Sequence, residues 1–298
     1  MRHSHIATLV FIAVYTLTGL TGSAAPHIAA SQASPGAAST AASSRAHPII
    51  PIPVVVSYVT PSATTLAALP AATYSAVIPG LVPYVQSSVP VVPAAYTISS
   101  DSALYGPDRS TPIARLTAKN FLGQDTVVVP VQVDGDWALV LTPSRQELPS
   151  VASGNAPAQT AAWIRTSTLT KGAELNDRIQ VSVSAQTLTI LDGNGTPVRQ
   201  FPVGVGAPGT ETPSGVTGYL QARYLDPAQG QALHPIQLTS LHSAAQDNPY
   251  GGTDGGLIGV HYEQVANGRV SHGCVRLHAD AIGVINTLPL GTLISIVN

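Results

Sequence analysis

From Tyr96 onward, short runs of alternating apolar and polar residues are cut every few positions by glycine or proline, which leaves little room for long helices. "VQVDGDWALVL" shows the pattern: two alternating runs about Asp134-Gly135 predict a β-hairpin. Similar short segments over residues 96–175 predict a small β-barrel. Trp137 and Trp163 sit in its strands, and core packing explains them more simply than stacking on a ligand. A second β-region starts near Asp177, where "RIQVSVSAQTLTILDGNGTPVRQF" reads as strand, strand, "DGNG" turn, strand. "TPSG" at 212–215 turns into a further strand, and "GLIGVHYEQ" is another that carries His261. "ADAIGVINTLPLG" predicts one short helix stopped at Pro289, and "TLISIVN" closes the chain as a strand. Residues 226–256, rich in Gly, Pro and Gln, are expected to be an irregular loop with His234 and His242 facing solvent. The fold class is mainly β.

The first third differs. Between Pro26 and Ser100 the only charged side chain is Arg45, and prolines recur throughout. That composition opposes regular helices and central strands and predicts an extended low-complexity stalk over residues 26–95. Residues 1–25 have the order of an export signal: Arg2, an apolar run over 6–20, then small residues at Gly22, Ser23, Ala24 and Ala25. The apolar run is shorter than the ~20 residues of a spanning helix, so cleavage rather than anchoring is expected. The net charge of −2 speaks against a nucleic-acid partner, which normally requires a basic surplus.

Export makes the single cysteine informative. Cys274 cannot form an internal disulfide, and outside the cytoplasm an unpaired thiol is exposed to oxidation. Its neighbours explain its presence: it sits in Ser271-His272-Gly273-Cys274-Val275-Arg276, thirteen residues after His261. A thiol with an ordinary pKa near 8.5 needs a base to become a nucleophile at neutral pH, and an imidazole can serve and later protonate the leaving group. A tight glycine turn leaves backbone N–H groups for a developing oxyanion. His272, two residues from Cys274, is awkwardly placed for the sulfur, so His261 is the expected base and His272 the organiser of the turn. Zinc ligation by His261, His272, Cys274 and His278 is the local competitor. The spacing fits no usual Cys/His zinc pattern, so neither metal nor other cofactor is expected.

The Ser-His-Gly-Cys-Val-Arg hexapeptide, with the upstream His261, resembles the L,D-transpeptidase catalytic domain (YkuD family) of bacterial cell-wall enzymes. The opening "IQVSVSAQTLTILDGNGTPVRQFPVGVG", the "TPSG" turn and the closing "GTLISIV" extend the resemblance over residues 177–298. It implies a β-sandwich whose cysteine attacks a peptidoglycan tetrapeptide stem and releases the terminal D-alanine. The acyl group then passes to an amine of an acceptor stem, giving a 3→3 cross-link. By the same resemblance Cys274 is the nucleophile and His261 the general base, oriented by the backbone carbonyl of Tyr262. The N–H groups of His272, Gly273 and Cys274 form the oxyanion hole, Arg276 binds substrate or supports the site, and Ser271 fixes the turn. Tyr262 stands where the family usually has glycine, and the interval between His261 and Cys274 is short. The region 96–175, through "GDWALVLTPSR" and "AAWIRTSTL", resembles a bacterial SH3-like domain, which implies association with the cell-wall polymer. Two other readings stay open on the sequence: an L,D-carboxypeptidase with water as acceptor, and a non-catalytic wall-binding protein.

Overall fold

The computed structural model describes residues 58–85, 92–245 and 254–298. The expected export signal and most of the expected stalk lie outside these residues. No helix among the described residues is long and apolar enough to cross a membrane.

The described part of the expected stalk is packed rather than free. Helix α1 (Ala63–Ala68) is capped by Ser62, whose hydroxyl accepts the Thr65 N–H at 3.1 Å. Beyond it, Ile78 and Leu81 are almost fully buried in one core with Leu104, Val140 and Ile164. Single backbone bonds tie the segment down: Ala72 N–H to the Arg115 carbonyl and Ile78 N–H to the Arg145 carbonyl, both 2.8 Å. Prolines limit its ladder pairing to Val82 and Pro83, opposite Ala161 and Thr160, while its near-absence of charge lets its side chains enter a core without a desolvation cost.

The strands that receive it are β1 (Val82–Pro83), β2 (Ala94–Ile98), β3 (Ser102–Tyr105), β4 (Pro112–Leu116), β5 (Pro130–Asp134), β6 (Trp137–Thr142), β7 (Thr160–Arg165) and β8 (Leu169–Glu174). Their order is β4-β3-β7-β6-β5 with β1 also on β7, while β2 and β8 pair separately. The β5–β6 hairpin forms where expected, with Asp134 opposite Trp137 and Gly135 at φ 58°, a value glycine adopts without strain. Both tryptophans pack: the Arg109 guanidinium lies 3.6 Å above the Trp163 ring, and Trp137 meets the Tyr105 ring edge-on at 5.0 Å.

The rest of the chain contributes β9 (Asp177–Ser182), β10 (Thr187–Asp192), β11 (Pro197–Pro202), β12 (Gly204–Gly206), β13 (Val216–Asp226), β14 (Gln231–His242), β15 (Leu257–Tyr262), β16 (Gly268–Ser271), β17 (Val275–Leu277), helix α2 (Ala279–Ile285) and β18 (Leu293–Val297). Among the described residues the ten strands follow the path β11-β10-β9-β18-β13-β14-β15-β17-β12-β16. Laid flat, ten strands would span about 43 Å at ~4.8 Å spacing. Yet Ile179 and Leu188 from one end share a single buried cluster with Val205 and Val275 from the other, so the sheet folds over a common core, with Ile282 and Ile285 of α2 in it.

One expectation is corrected here. Within the span expected to be an irregular loop, residues 231–242 form β14, a twelve-residue strand paired with β13 and β15. Pro235 disguised it. The β13–β14 register shifts between Tyr224↔Ile236 and Asp226↔Gln231, so the proline falls in the unpaired stretch and removes no ladder bond. His242, at the end of β14, is consequently buried, and His234 lies half-buried against the Tyr262 ring at 4.7 Å.

Candidate functional site

Strand β15 sorts its residues by parity. Ile258 and Val260 are fully buried in the core, while Leu257, Gly259 and His261 face a cavity of about 400 Å³. Strand β17 runs parallel to β15, with Val275 opposite Val260 and Arg276 opposite His261. Val275 and Leu277 therefore enter the core, and Cys274 and Arg276 face the same cavity. The cavity's far wall comes from β13 and β14 through Tyr224, Gln231, Ile236 and Leu238. Two adjacent parallel strands thus bring the thiol and the imidazole to one face.

The turn before Cys274 is held from several sides. Gly273 has φ 102°, a conformation that excludes most other residues. The Ser271 hydroxyl donates to the Cys274 carbonyl at 2.5 Å. The Thr212 hydroxyl accepts the Gly206 N–H and donates to the Gly273 carbonyl, both at 2.8 Å, fastening the "TPSG" turn to the cysteine turn. Among the described residues no acceptor takes the N–H groups of Gly273 or Cys274. The Gly259 N–H points at Sγ from 3.3 Å. Burial raises the Cys274 thiol above its ordinary value, and the Gly259 N–H and Arg276 oppose this only in part. The resting thiol is neutral.

His261 is fixed through its own strand. Its Nδ1 lies 3.1 Å from the Tyr262 carbonyl. A carbonyl only accepts, so Nδ1 carries the proton and Nε2 keeps its lone pair. The same carbonyl takes the Gln231 side-chain N–H at 2.9 Å, which locks it in place. Burial lowers the imidazole below its ordinary value; the Tyr262 carbonyl and Glu263 push upward, and Arg276 pushes down. The resting imidazole is also neutral, and a neutral thiol beside a neutral imidazole is a nucleophile–base pair awaiting substrate.

Gly259 supplies the clearance between them. A Cβ built on it would sit 3.8 Å from Cys274 Sγ and 3.9 Å from His261 Cδ2. Two buried polar atoms on cavity-lining residues have no partner among the described residues: Gln231 Oε1 and Arg276 Nε. Orphaned buried atoms of this kind carry a cost, which marks this wall of the cavity as incompletely satisfied.

Of the residues named from sequence, Cys274, His261, Arg276, Ser271 and the exposed His272 meet at this cavity, with Gly273 contributing backbone. The Tyr262 ring does not join them; it packs against the core, and its carbonyl is the part that reaches the site. His278 stands apart at the start of α2, accepting from Asn267 at 3.3 Å. Gly259, Thr212 and Gln231 went unread as site residues. Period two counted back from His261 points to Gly259, and Thr212 lies inside the quoted "TPSG"; no sequence signal marks Gln231.

Residues 176–296 match the family model of the L,D-transpeptidase catalytic domain, YkuD, a span that contains both Cys274 and His261. Among solved structures, an L,D-transpeptidase (Yku) from Stackebrandtia nassauensis shares 16% identity over 42% of this chain and 57% of its own, with a TM-score of 0.31. This chain therefore spans less than two thirds of that protein. L,D-transpeptidase 1 of Mycobacterium tuberculosis shares 19% identity over 47% of this chain and 78% of its own, TM-score 0.30. An L,D-transpeptidase from Mycobacterium smegmatis shares 17% over 58% and 91%, TM-score 0.32. The search of curated proteins finds no match.

Proposed function

We propose that this protein is an L,D-transpeptidase of the cell wall, acting on peptidoglycan stems with Cys274 as nucleophile and His261 as general base. The observation that carries the reading is the placing of the Cys274 thiol and a tautomer-fixed imidazole across two parallel strands, inside the segment that matches the L,D-transpeptidase family model.

The steps follow from the groups present. His261 Nε2 takes the Cys274 proton as Sγ attacks the carbonyl that precedes the terminal D-alanine of a tetrapeptide stem. The oxyanion faces the N–H groups of Gly273 and Cys274. The imidazolium returns its proton to the departing amine, the C–N bond breaks, D-alanine leaves, and a thioester remains on Cys274. A side-chain amine of a second stem gives a proton to His261 and attacks the thioester; the C–S bond breaks, a 3→3 amide forms and the thiol is restored. Arg276, which lines the cavity, supplies a cation for a stem carboxylate. Export by residues 1–25 and wall association through an SH3-like module over residues 96–175 complete the proposal, which places the enzyme outside the cytoplasm beside its polymer.

The test is product mass after incubation with purified tetrapeptide stems. The expected result is loss of D-alanine with a cross-linked dimer, abolished in Cys274→Ala. A trimmed monomer alone would make water the acceptor, and intact mass showing a carbapenem adduct on Cys274→Ala would remove the cysteine from the chemistry.

A further inference from the structure

Strand β15 sends its backbone groups to alternate sides. The Glu263 N–H, just past its end, bonds to the Leu277 carbonyl at 2.9 Å, and the Gly259 N–H points at Cys274 Sγ, both toward β17. The even-numbered residues turn the other way: the Ile258 carbonyl takes the Thr239 hydroxyl of β14 at 2.6 Å. Tyr262, also even, therefore aims its carbonyl at β14. The β14–β15 register pairs Leu238 with Gly259 and Gln237 with Val260, so two residues further on it sets Pro235 opposite Tyr262. The His234 ring lies 4.7 Å from the Tyr262 ring, which agrees with that register.

An ordinary residue at 235 would give its N–H to the Tyr262 carbonyl and hold it in the plane of the sheet. Proline has no N–H to give. Toward β13 it interrupts no ladder, and toward β15 it leaves the carbonyl open to other donors. Two side chains use the opening, His261 Nδ1 from 3.1 Å and Gln231 Nε2 from 2.9 Å, one for each lone pair. The His261 ring stands off the sheet on the cavity face, a direction that a carbonyl held in the ladder would serve poorly. Gln231 keeps its place at a cost, because its Oε1 is buried with no partner among the described residues. A methionine would fill much the same space without an orphaned oxygen; what it would lose is the N–H on the Tyr262 carbonyl.

We propose that Pro235 and Gln231 are positioning residues for His261: the proline withholds a ladder donor from the Tyr262 carbonyl, and Gln231 holds that carbonyl where the His261 Nδ1–H can use it. Neither touches the reacting atoms. Without them the two imidazole tautomers compete, and the form with its proton on Nε2 has no lone pair to offer the thiol. That the imidazole is the base of an acyl transfer rests on the proposed function; the tautomer that Pro235 and Gln231 impose does not.

The test compares the full chain with its Gln231→Met and Pro235→Ala variants by two measurements near neutral pH. Proton–nitrogen NMR of histidine-labelled protein reads the tautomer, with the His261 signals assigned by their loss in His261→Gln. Carbapenem acylation of Cys274 reads the rate. The parent should show one tautomer, with the proton on Nδ1. Both variants should show averaged nitrogen signals and acylate about tenfold more slowly, the size of one lost hydrogen bond. Gln231→Met removes a buried orphan and Pro235→Ala adds a donor without adding volume, so both should fold; if the first does not, the second decides. A parent that already mixes tautomers would overturn the proposal. So would the parental tautomer in either folded variant, whatever its rate, because slower acylation alone would come from altered packing. If the parent holds its proton on Nδ1 and both variants release it, yet Cys274 never acylates, the transpeptidase reading falls and the positioning role stands.

Discussion

Burial moves the two reacting groups in opposite directions, the Cys274 thiol upward and the His261 imidazole downward, so between their values both are uncharged. This differs from a preformed thiolate–imidazolium pair and has a measurable signature. The competent state needs a neutral imidazole. Because the folded His261 sits below its ordinary 6.5, acylation is lost only on going below that pH. Because burial pushes the thiol above its ordinary value, no second step falls between pH 7 and 9. The carbapenem acylation rate should therefore climb through a midpoint under 6.5 and stay level to pH 9. Thiolate absorbance should be missing from the free enzyme at pH 7 and present only above the plateau. A strong thiolate signal at neutral pH, or a midpoint above 6.5, would show that an ion pair is the resting state. Arg276, opposite His261 in the parallel pair, depresses both pKa values, so its removal should move that acid limb upward.

Strand β15 shows how an element converts a period of two into a site. Its odd-numbered residues Leu257, Gly259 and His261 face the cavity, and glycine stands beside both the sulfur and the imidazole. Gly259→Ala fits sterically, since the added methyl would contact Ile236 at 3.6 Å and nothing closer. Removing a glycine from a strand interior leaves stability equal or slightly higher, by up to about 1 kcal/mol. Acylation should nevertheless fall at least tenfold, because the methyl occupies the approach to the thiol. Equal acylation rates in stopped-flow, with an unchanged Tm, would show that substrate enters from another side. The alternation that places His261 was readable in "GLIGVHYEQ", as it was for β9 and β10. Strand β14 was not readable, because Pro235 and the glutamines imitate a loop and only the register shift against β13 shows why they are tolerated. The same limit hid Gln231, whose importance comes from facing the Tyr262 carbonyl across 31 residues of chain.

Across the whole molecule, the two sheets meet along a polar seam that no local pattern reveals, because its partners lie between 81 and 168 residues apart. Ser240 donates to Gln159 at 2.6 Å, and Arg145 donates to the Ser243 carbonyl at 3.0 Å and to that of Gly255. His242 Nε2 lies 3.1 Å from the Tyr74 carbonyl, so β14 ends pinned to the segment expected to be a free stalk. Composition could say that residues 58–85 were apolar and almost uncharged, but not which surface they would cover. The seam makes the stability of the fold sensitive to acid. Burial, with the nearby Arg145 charge, holds His242 down at about 3, whereas the unfolded chain takes up the same proton near 6.5. The stabilising contribution is complete above pH 6.5 and is withdrawn as pH falls toward 3, at up to about 1.4 kcal/mol per pH unit. A His242→Gln variant keeps a donor for the Tyr74 carbonyl and has nothing to titrate. Its Tm should lie below the parent's at pH 8, from imperfect packing, yet fall less steeply between pH 6 and 4, so that the two curves converge. Carboxylates elsewhere titrate in both proteins and cancel in the difference. Parallel curves in calorimetry would assign the acid sensitivity to those carboxylates and not to the seam.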